Sequence, residues 1–284
     1  MQERAGVVAP GRVAVVTGAA SGIGLALSRR LASDGMRVVM ADIEEPALAE
    51  AAQVLAAEGG YVLPVPTDVS RAADVEALRD RTLAEFGGVH LVCNNAGVTG
   101  PGRMLWEMTQ ADWDWVLGVN VWGVVNGIRA FVPALLREDA AHIVNTASVA
   151  GLVTAALGPY SVTKHAVVAL SESLHLQLRQ RSAAVGVSVL CPGWVRTRIL
   201  DSDRNRPAAV APPPEPDAVG LAVRETARAL VESGMDPAGV ADAVVRAVRT
   251  GCFYVLTHPE MGEAVRLRAE QVLSGAPPER IPFP

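Results

Sequence analysis

Apolar residues in this chain fall into short β-branched runs separated by longer alanine- and leucine-rich stretches. The short runs predict strands over Arg12–Thr17, Arg37–Asp42, Tyr61–Pro66, His90–Asn94, His142–Thr146, Gly186–Cys191 and Cys252–Leu256. Between them, Gly24–Ser33, Pro46–Glu58 and Ala72–Phe86 read as helices. Several strands are apolar on successive residues (VAVV at 13–16, VVM at 38–40, VSVL at 187–190). A sheet covered on both faces shows that pattern, and strand–helix alternation makes it a parallel, doubly wound α/β sheet. Ligands of such sheets bind beyond the carboxyl ends of the strands.

The rhythm breaks once. Asp201–Gly220 carries Pro207, Pro212, Pro213, Pro214 and Pro216 and few large apolar residues, so a long loop is expected there. Two readings stay open, a disordered insertion or a substrate lid over about 198–220. Ala276–Pro284 reads as a loose tail or a strap to a neighbouring subunit. At 284 residues and 50% hydrophobic, the chain can bury one large core, and a single domain over 1–284 is expected. A net charge of −5 without a basic run points away from nucleic acid and from membrane surfaces. Cys93, Cys191 and Cys252 sit in apolar runs without CxxC spacing, which reads as reduced, buried thiols in the cytoplasm. The amino-terminal residues have no long apolar core, so they do not read as a secretory signal. No apolar run of about 18 residues lacks charges or glycines, which argues against a membrane span.

Chemistry enters with one residue. Of 25 lysines and arginines only Lys164 is a lysine, and it stands four residues after Tyr160, one of three tyrosines. On a helix the two share a face, and lysine is a compact point charge where arginine is diffuse. A phenol with a pKa of about 10 needs a depression of roughly two to three units, about 3–4 kcal/mol, to act near neutrality. An ammonium about 4 Å away at an effective dielectric of about 20 supplies about 4 kcal/mol. The pair predicts a tyrosine made acidic by its neighbour, and proton transfer on hydroxyls or carbonyls.

Upstream, Thr17-Gly18-Ala19-Ala20-Ser21-Gly22-Ile23-Gly24 joins the first strand to the first helix. Glycines let the backbone approach a pyrophosphate, and the helix start offers free N–H groups. The spacing is GxxxGxG rather than GxGxxG. Asp42 closes the second strand, where a carboxylate accepts from adenosine ribose hydroxyls and repels a 2′-phosphate. Neither Ser21 nor Ile43 is basic, and Arg37 lies at the far end of that strand, so NAD is expected over NADP. Capping of the following helix is a compatible second role for Asp42.

Together these residues resemble the short-chain dehydrogenase/reductase family over about residues 12–200: TGAASGIG at 17–24, NNAG at 94–97, Asn120, Ser148, YSVTK at 160–164, Pro192-Gly193 and Thr197. The resemblance implies a single Rossmann-fold domain with seven strands in the order 3-2-1-4-5-6-7. It implies cofactor contacts from Gly18, Ser21, Gly22, Ile23 and Gly24. Asp68 and Val69 are then expected at the adenine and Asn95, Ala96 and Gly97 along the adenosine ribose. Pro192, Gly193, Val195 and Thr197 are expected at the nicotinamide end, with Tyr160 and Lys164. A homodimer or homotetramer would form through the helices holding Asn120 and Tyr160. In this scheme Tyr160 donates the proton, or accepts it in the oxidative direction, and a cationic nicotinamide adds to the effect of Lys164. Ser148 bonds the reacting oxygen, and Asn120 holds a water linking Lys164 to solvent.

Val98, Leu105, Trp106, Val149, Leu152, Val153 and Trp194 are expected around the reacting carbon, with Ser148, Leu152, Tyr160 and Trp194 binding substrate. Such a lining favours a bulky apolar secondary alcohol or ketone, whether alicyclic, terpenoid, steroid-like or polyketide. Trp113, Trp115 and Trp122 read as core or interface packing, and Trp106 as a pocket wall. Arg196 and Arg198 are either solvated or at the mouth of the site. His165 reads as packing; the other histidines suggest no ligand cluster, and no metal is expected. The alternatives are an NADPH-dependent 3-oxoacyl-thioester reductase, which Asp42 disfavours, and a non-catalytic dinucleotide sensor. A sensor has no need of Ser148, Tyr160 and Lys164 together.

Overall fold

The computed structural model describes residues 6–102, 104–154, 158–208, 210, 218–279 and 281, with the backbone alone at 218–220. Its strands are β1 (Val13–Thr17), β2 (Arg37–Asp42), β3 (Tyr61–Pro66), β4 (Leu91–Asn94), β5 (Ala141–Thr146), β6 (Val185–Cys191) and β7 (Tyr254–Leu256). They form one parallel sheet in the order β3-β2-β1-β4-β5-β6-β7, the order the family resemblance implies. The helices are α1 (Gly22–Ser33), α2 (Glu45–Ala57), α3 (Ala72–Phe86), α4 (Gln110–Leu117), α5 (Gly123–Leu135), α6 (Pro159–Gln180), α7 (Ala218–Glu232), α8 (Pro237–Thr250) and α9 (Met261–Ser274). Most strand limits fall within a residue of expectation, the usual fraying of ends. β7 starts two residues late because Cys252 N–H still bonds the Ala247 carbonyl of α8.

Helices α1, α2 and α8 cover one face, where Leu27, Leu31, Leu48, Leu55 and Val244 meet Val16, Val38 and Met40. Helices α3, α5 and α6 cover the other, where Leu78, Phe131, Leu135 and Leu174 meet Val15, Val39 and Ile143. Neighbouring residues of β1 thus enter opposite cores, which is why the strand is apolar throughout. Each such large side chain contributes about 1.5–3 kcal/mol by leaving water. The helical run Gln110–Leu135 is long and apolar enough to cross a membrane by composition, but half of its apolar window is buried within the fold.

A polar ladder crosses the second core. Asn94 Nδ2 donates to Asn145 Oδ1 (2.9 Å), Asn145 Nδ2 to Ser171 Oγ (3.0 Å), and Ser171 Oγ to the Val167 carbonyl (2.7 Å), joining β4, β5 and α6. Buried amides are tolerated because each finds a partner. Gly127 of α5 makes room for it, since a Cβ there would stand 2.0 Å from Asn94 Oδ1.

The proline-rich stretch differs from the loop expected over 198–220. Ile199–Asn205 forms a 3₁₀ helix, and α7 already begins at Ala218. The four prolines at 212–214 and 216 lie outside the described residues; Pro207 follows the 3₁₀ helix. This arm crosses the carboxyl edge of the sheet and is tied at several points. Ser202 Oγ lies 2.9 Å from Thr99 Oγ1, and Arg204 pairs with Glu44. Arg206, with a nearly buried guanidinium, pairs with buried Asp112 at 3.1 Å and lies over the Trp115 ring at 4.6 Å. Val210 packs with Val98, Trp115 and Val116. The carboxyl-terminal segment is anchored too: Ile281 is buried with Val149, Val153, Met261 and Ala264, so at that point it is packed on its own chain rather than loose.

Two further expectations change. Cys252 is exposed, because it lies in the turn before the edge strand β7, whereas Cys93 and Cys191 are buried. His90, Glu138 and Asp139 come within 4.8 Å of one another, a grouping invisible in a sequence that separates them by about 48 positions. Asp139 is already held by both terminal nitrogens of Arg12, and His90 Nδ1 accepts from Val13 N–H, so these groups are occupied structurally. The Gly127→Ala substitution should test the ladder: overpacking is expected to cost about 1–3 kcal/mol in urea unfolding. An unchanged midpoint would show that α5 does not lean on Asn94.

Candidate active site

The turn after β1 is built for close approach. A Cβ on Gly18 would lie 2.9 Å from Ala96 Cα, and one on Gly24 only 2.0 Å from the Gly18 carbonyl oxygen. Gly22 adopts a left-handed conformation beneath Thr197, with 3.0 Å between a built Cβ and Thr197 Cγ2. Ser21 is the N-cap of α1 but makes no side-chain capping bond, which leaves its hydroxyl and the first-turn N–H groups available. Asp42 Oδ2 accepts from Ala20 N–H (2.9 Å), and Oδ1 from Glu44 N–H (3.0 Å). The carboxylate therefore bridges the glycine-rich turn and the start of α2. Ile23 packs partly against the core under α1.

The NNAG segment is a stitch. Asn95 N–H and Ala96 N–H donate to Thr17 Oγ1, Asn95 Nδ2 donates to the Thr17 carbonyl (3.0 Å), and Thr146 Oγ1 donates to Asn95 Oδ1 (3.3 Å). The carboxyl ends of β1, β4 and β5 are tied by one side chain. Asp68 accepts from Ser70 N–H and Oγ, and the Val69 carbonyl accepts from Asn126 Nδ2, so this pair shapes the start of α3.

Pro159 at the first position of α6 starts the helix that carries Tyr160 and Lys164. Ser148, two residues beyond β5, caps the turn Val149–Gly151 by accepting from Ala150 N–H (3.1 Å), and its Oγ lies 3.3 Å from the Pro192 carbonyl. Its hydroxyl also acts on the Tyr160 phenol, drawing its pKa down. Lys164 is buried, donates from Nζ to the Thr146 carbonyl (3.0 Å), and lies 5.5 Å from the Tyr160 ring centre. Asn120 sits in a π turn, Gly118–Trp122, a form often found at functional sites. Its amide brackets Val98, accepting from Val98 N–H and donating to the Val98 carbonyl, both at 2.9 Å, and it also donates to Thr163 Oγ1. One lone pair of Oδ1 is left for the expected water. That oxygen and Lys164 Nζ flank Gly97, each 3.4 Å from a Cβ built there.

The structure brings Ser148, Tyr160, Lys164 and Asn120 together but corrects the electrostatics. Burial pushes the Tyr160 phenol above its ordinary pKa, and the Ser148 hydroxyl lowers it only in part. Burial likewise pushes Lys164 down to about 8, opposed by the neighbouring Cys191. Sequence reasoning counted the attraction between the pair and omitted desolvation, which penalises both charged forms.

Leu152 and Trp194 pack with Val149 and Val153 beside Met261 and Ala264 of α9. Leu105 and Trp106 do not join them: they lie on an exposed 3₁₀ turn, Leu105–Glu107, with Trp106 81% exposed. Trp122 is also exposed, while Trp115 is core. Sequence reading missed His258. Its Nδ1 accepts from Gly193 N–H (3.1 Å), and its Nε2 donates to the Trp194 carbonyl (3.1 Å), so the two bonds hold the Pro192–Val195 loop. No local motif marks it; its position just after β7 is the only clue. Val195 completes the loop by bridging to Met235. A cavity of about 440 Å³ lies behind this loop, lined by Trp194, Leu230, Ser233, Gly234, Met235 and His258. Ser148, Tyr160 and Lys164 do not line it, so it is apart from the polar cluster.

Residues 12–208 match the family described as short chain dehydrogenase. A 1-deoxy-11-beta-hydroxypentalenate dehydrogenase of Streptomyces avermitilis is 41% identical over 250 residues, 87% of this chain and 84% of that protein. One of Streptomyces exfoliatus is 48% identical over 192 residues, 66% of this chain and 69% of that protein. The crystal structure of a short chain dehydrogenase/reductase from Burkholderia phymatum in complex with NAD matches with a TM-score of 0.93 at 45% identity, over 100% of both chains.

The depressed Lys164 predicts a pH-dependent stability. The unfolded chain keeps the lysine proton to a higher pH than the folded one, so this group's penalty is full below pH of about 8 and fades above it. Against Lys164→Met, wild-type stability in urea should rise by about 2–3 kcal/mol between pH 7.5 and pH 10. A difference that stays flat with pH would show that the ammonium is not desolvated.

Proposed function

This chain belongs to the short-chain dehydrogenase/reductase family and is an oxidoreductase of that type; we propose that it interconverts a bulky apolar secondary alcohol and its ketone with NAD. The observation that carries the reading is that Ser148, Tyr160 and buried Lys164 come together at the carboxyl ends of β5 and β6, with the lysine anchored on the Thr146 carbonyl. The dinucleotide fits the residues present. Gly18, Gly22 and Gly24 draw the turn tight against Ala96, Thr197 and its own backbone, where side chains would collide, α1 presents uncapped N–H groups, and Asp42 stands ready for ribose hydroxyls. Bound NAD supplies the hydride acceptor, and NADH the donor. NAD rather than NADP is supported by Asp42 and by the complex named for the Burkholderia protein.

Each protein group has a task in this reading. Tyr160 gives its proton to a carbonyl oxygen on reduction and takes it back on oxidation. Ser148 holds that oxygen, turning its hydroxyl from the Pro192 carbonyl toward the reacting centre. Lys164 feeds the phenol with charge and protons from its anchored position. Asn120 fixes Val98 on the opposite wall. The apolar surround of Val149, Leu152, Val153 and Trp194 supports an apolar substrate, as do two relatives named hydroxypentalenate dehydrogenases. Assembly as a homodimer or homotetramer through α5 and α6 belongs to the same proposal, supported by exposed Trp122, Val162 and Leu176.

Tyr160→Phe is expected to abolish turnover of an alcohol panel with NAD⁺ while NADH titration shows nearly unchanged affinity. Retained turnover would refute the acid–base role. Because the phenol sits above its ordinary pKa, it is protonated near neutrality. Ketone reduction should therefore stay flat from pH 6 to 8, roughly, while alcohol oxidation climbs with pH. Oxidation that is already level at neutral pH would mean another group is the base.

A further inference from the structure

The end of β2 faces an arginine fork carried by the arm. Arg204 Nε and Nη2 both reach Glu44 Oε1, at 2.8 and 2.7 Å, and Asn205 Nδ2 donates to the same oxygen at 3.0 Å. From behind, Arg204 Nη1 donates to the carbonyls of Arg198 (3.2 Å) and Asp201 (3.0 Å), so the arm itself fixes the guanidinium. Glu44 lies against the ribose-side carboxylate, since its own N–H donates to Asp42 Oδ1. Burial opposes ionisation of Glu44, but hydrogen bonds from Arg204 and Asn205 and the charges of Arg204 and Arg198 outweigh it, holding the carboxyl below its usual range.

A preorganised guanidinium fork is the group that receives a phosphate dianion in two parallel hydrogen bonds. Here the fork is held on Glu44, two residues beyond Asp42, the neighbourhood where a 2′-phosphate on adenosine ribose would come, and that carboxylate already fills it. We propose that Glu44 is a specificity-determining residue for the dinucleotide: it occupies Arg204 and so denies a 2′-phosphate its counter-charge, while Asp42 repels that phosphate directly. The inference rests on the NAD reading above. The pairing spans 160 positions in sequence, which is why Ile43 and Ser21 alone made the neighbourhood look free of positive charge.

Fluorescence titration with NADH and NADPH at low and high salt tests this on wild type, Glu44→Gln and Glu44→Ala. Glutamine keeps the shape and removes the charge; alanine clears the fork. In Glu44→Ala the NADPH dissociation constant should fall by about tenfold, with a new salt dependence, while NADH affinity changes little. Adding Arg204→Gln should return NADPH binding to the wild-type value. Parallel changes for both dinucleotides would show a latch on the arm and overturn the selectivity role, leaving the NAD reading intact. NADPH affinity unmoved in both variants would overturn it equally. Wild type preferring NADPH would instead overturn the NAD reading, and the inference with it.

Discussion

The hydrogen bond from the Lys164 ammonium to the Thr146 carbonyl is the constraint around which the carboxyl end of the sheet is arranged. A buried cation is tolerated only when it is partnered, and this one is partnered by the last residue of β5. The bond holds the first turns of α6 against that strand, so Tyr160 and Ser148 share a wall. Small residues give it room. A Cβ on Gly151 would meet the Lys164 carbonyl oxygen at 2.5 Å, and Gly97 leaves the approach to Nζ open. The lone lysine of the chain is therefore both a chemical group and a structural tie.

Around that tie, the crevice is assembled from pieces remote in sequence. Asn95 locks three strand ends together, and Asn120 clamps Val98. His258, from beyond the last strand, holds the backbone of the Pro192–Val195 loop. Met261 and Ile281 close the apolar side next to Leu152 and Trp194. The 199–208 arm then crosses from Thr197, over the glycine-rich turn, to Glu44 and to the Asp112–Trp115 surface of α4. Charge pairing and one buried cation–π contact fasten the arm, so its position is set by a few polar contacts rather than by a large apolar face.

The electrostatic outcome shows how burial alters a simple charge argument. At an effective dielectric of about 20, an ammonium near a phenol favours the phenolate by about 4 kcal/mol. Inside the fold both groups lose water, and each is pushed toward its neutral form. Lys164, pushed down to about 8, still carries its proton near neutrality and the Tyr160 phenol keeps its own, so the pair rests as an ammonium beside a neutral phenol.

Strand-by-strand periodicity, the glycine-rich turn, Asp42 and the Tyr160–Lys164 spacing were legible from residues alone, because strand period, helix face and turn chemistry are local, whereas Ser148 was picked out only by family likeness. The sheet order came from family likeness, and the coordinates agree. Only tertiary structure decided the rest: that Arg204 lies on Glu44, that His258 anchors Gly193, that Trp106 stands in solvent and that Ile281 is buried. Those contacts join residues tens to hundreds of positions apart. Distance in the folded chain, and the desolvation that comes with it, depends on how every helix packs on the sheet, which no local spacing encodes.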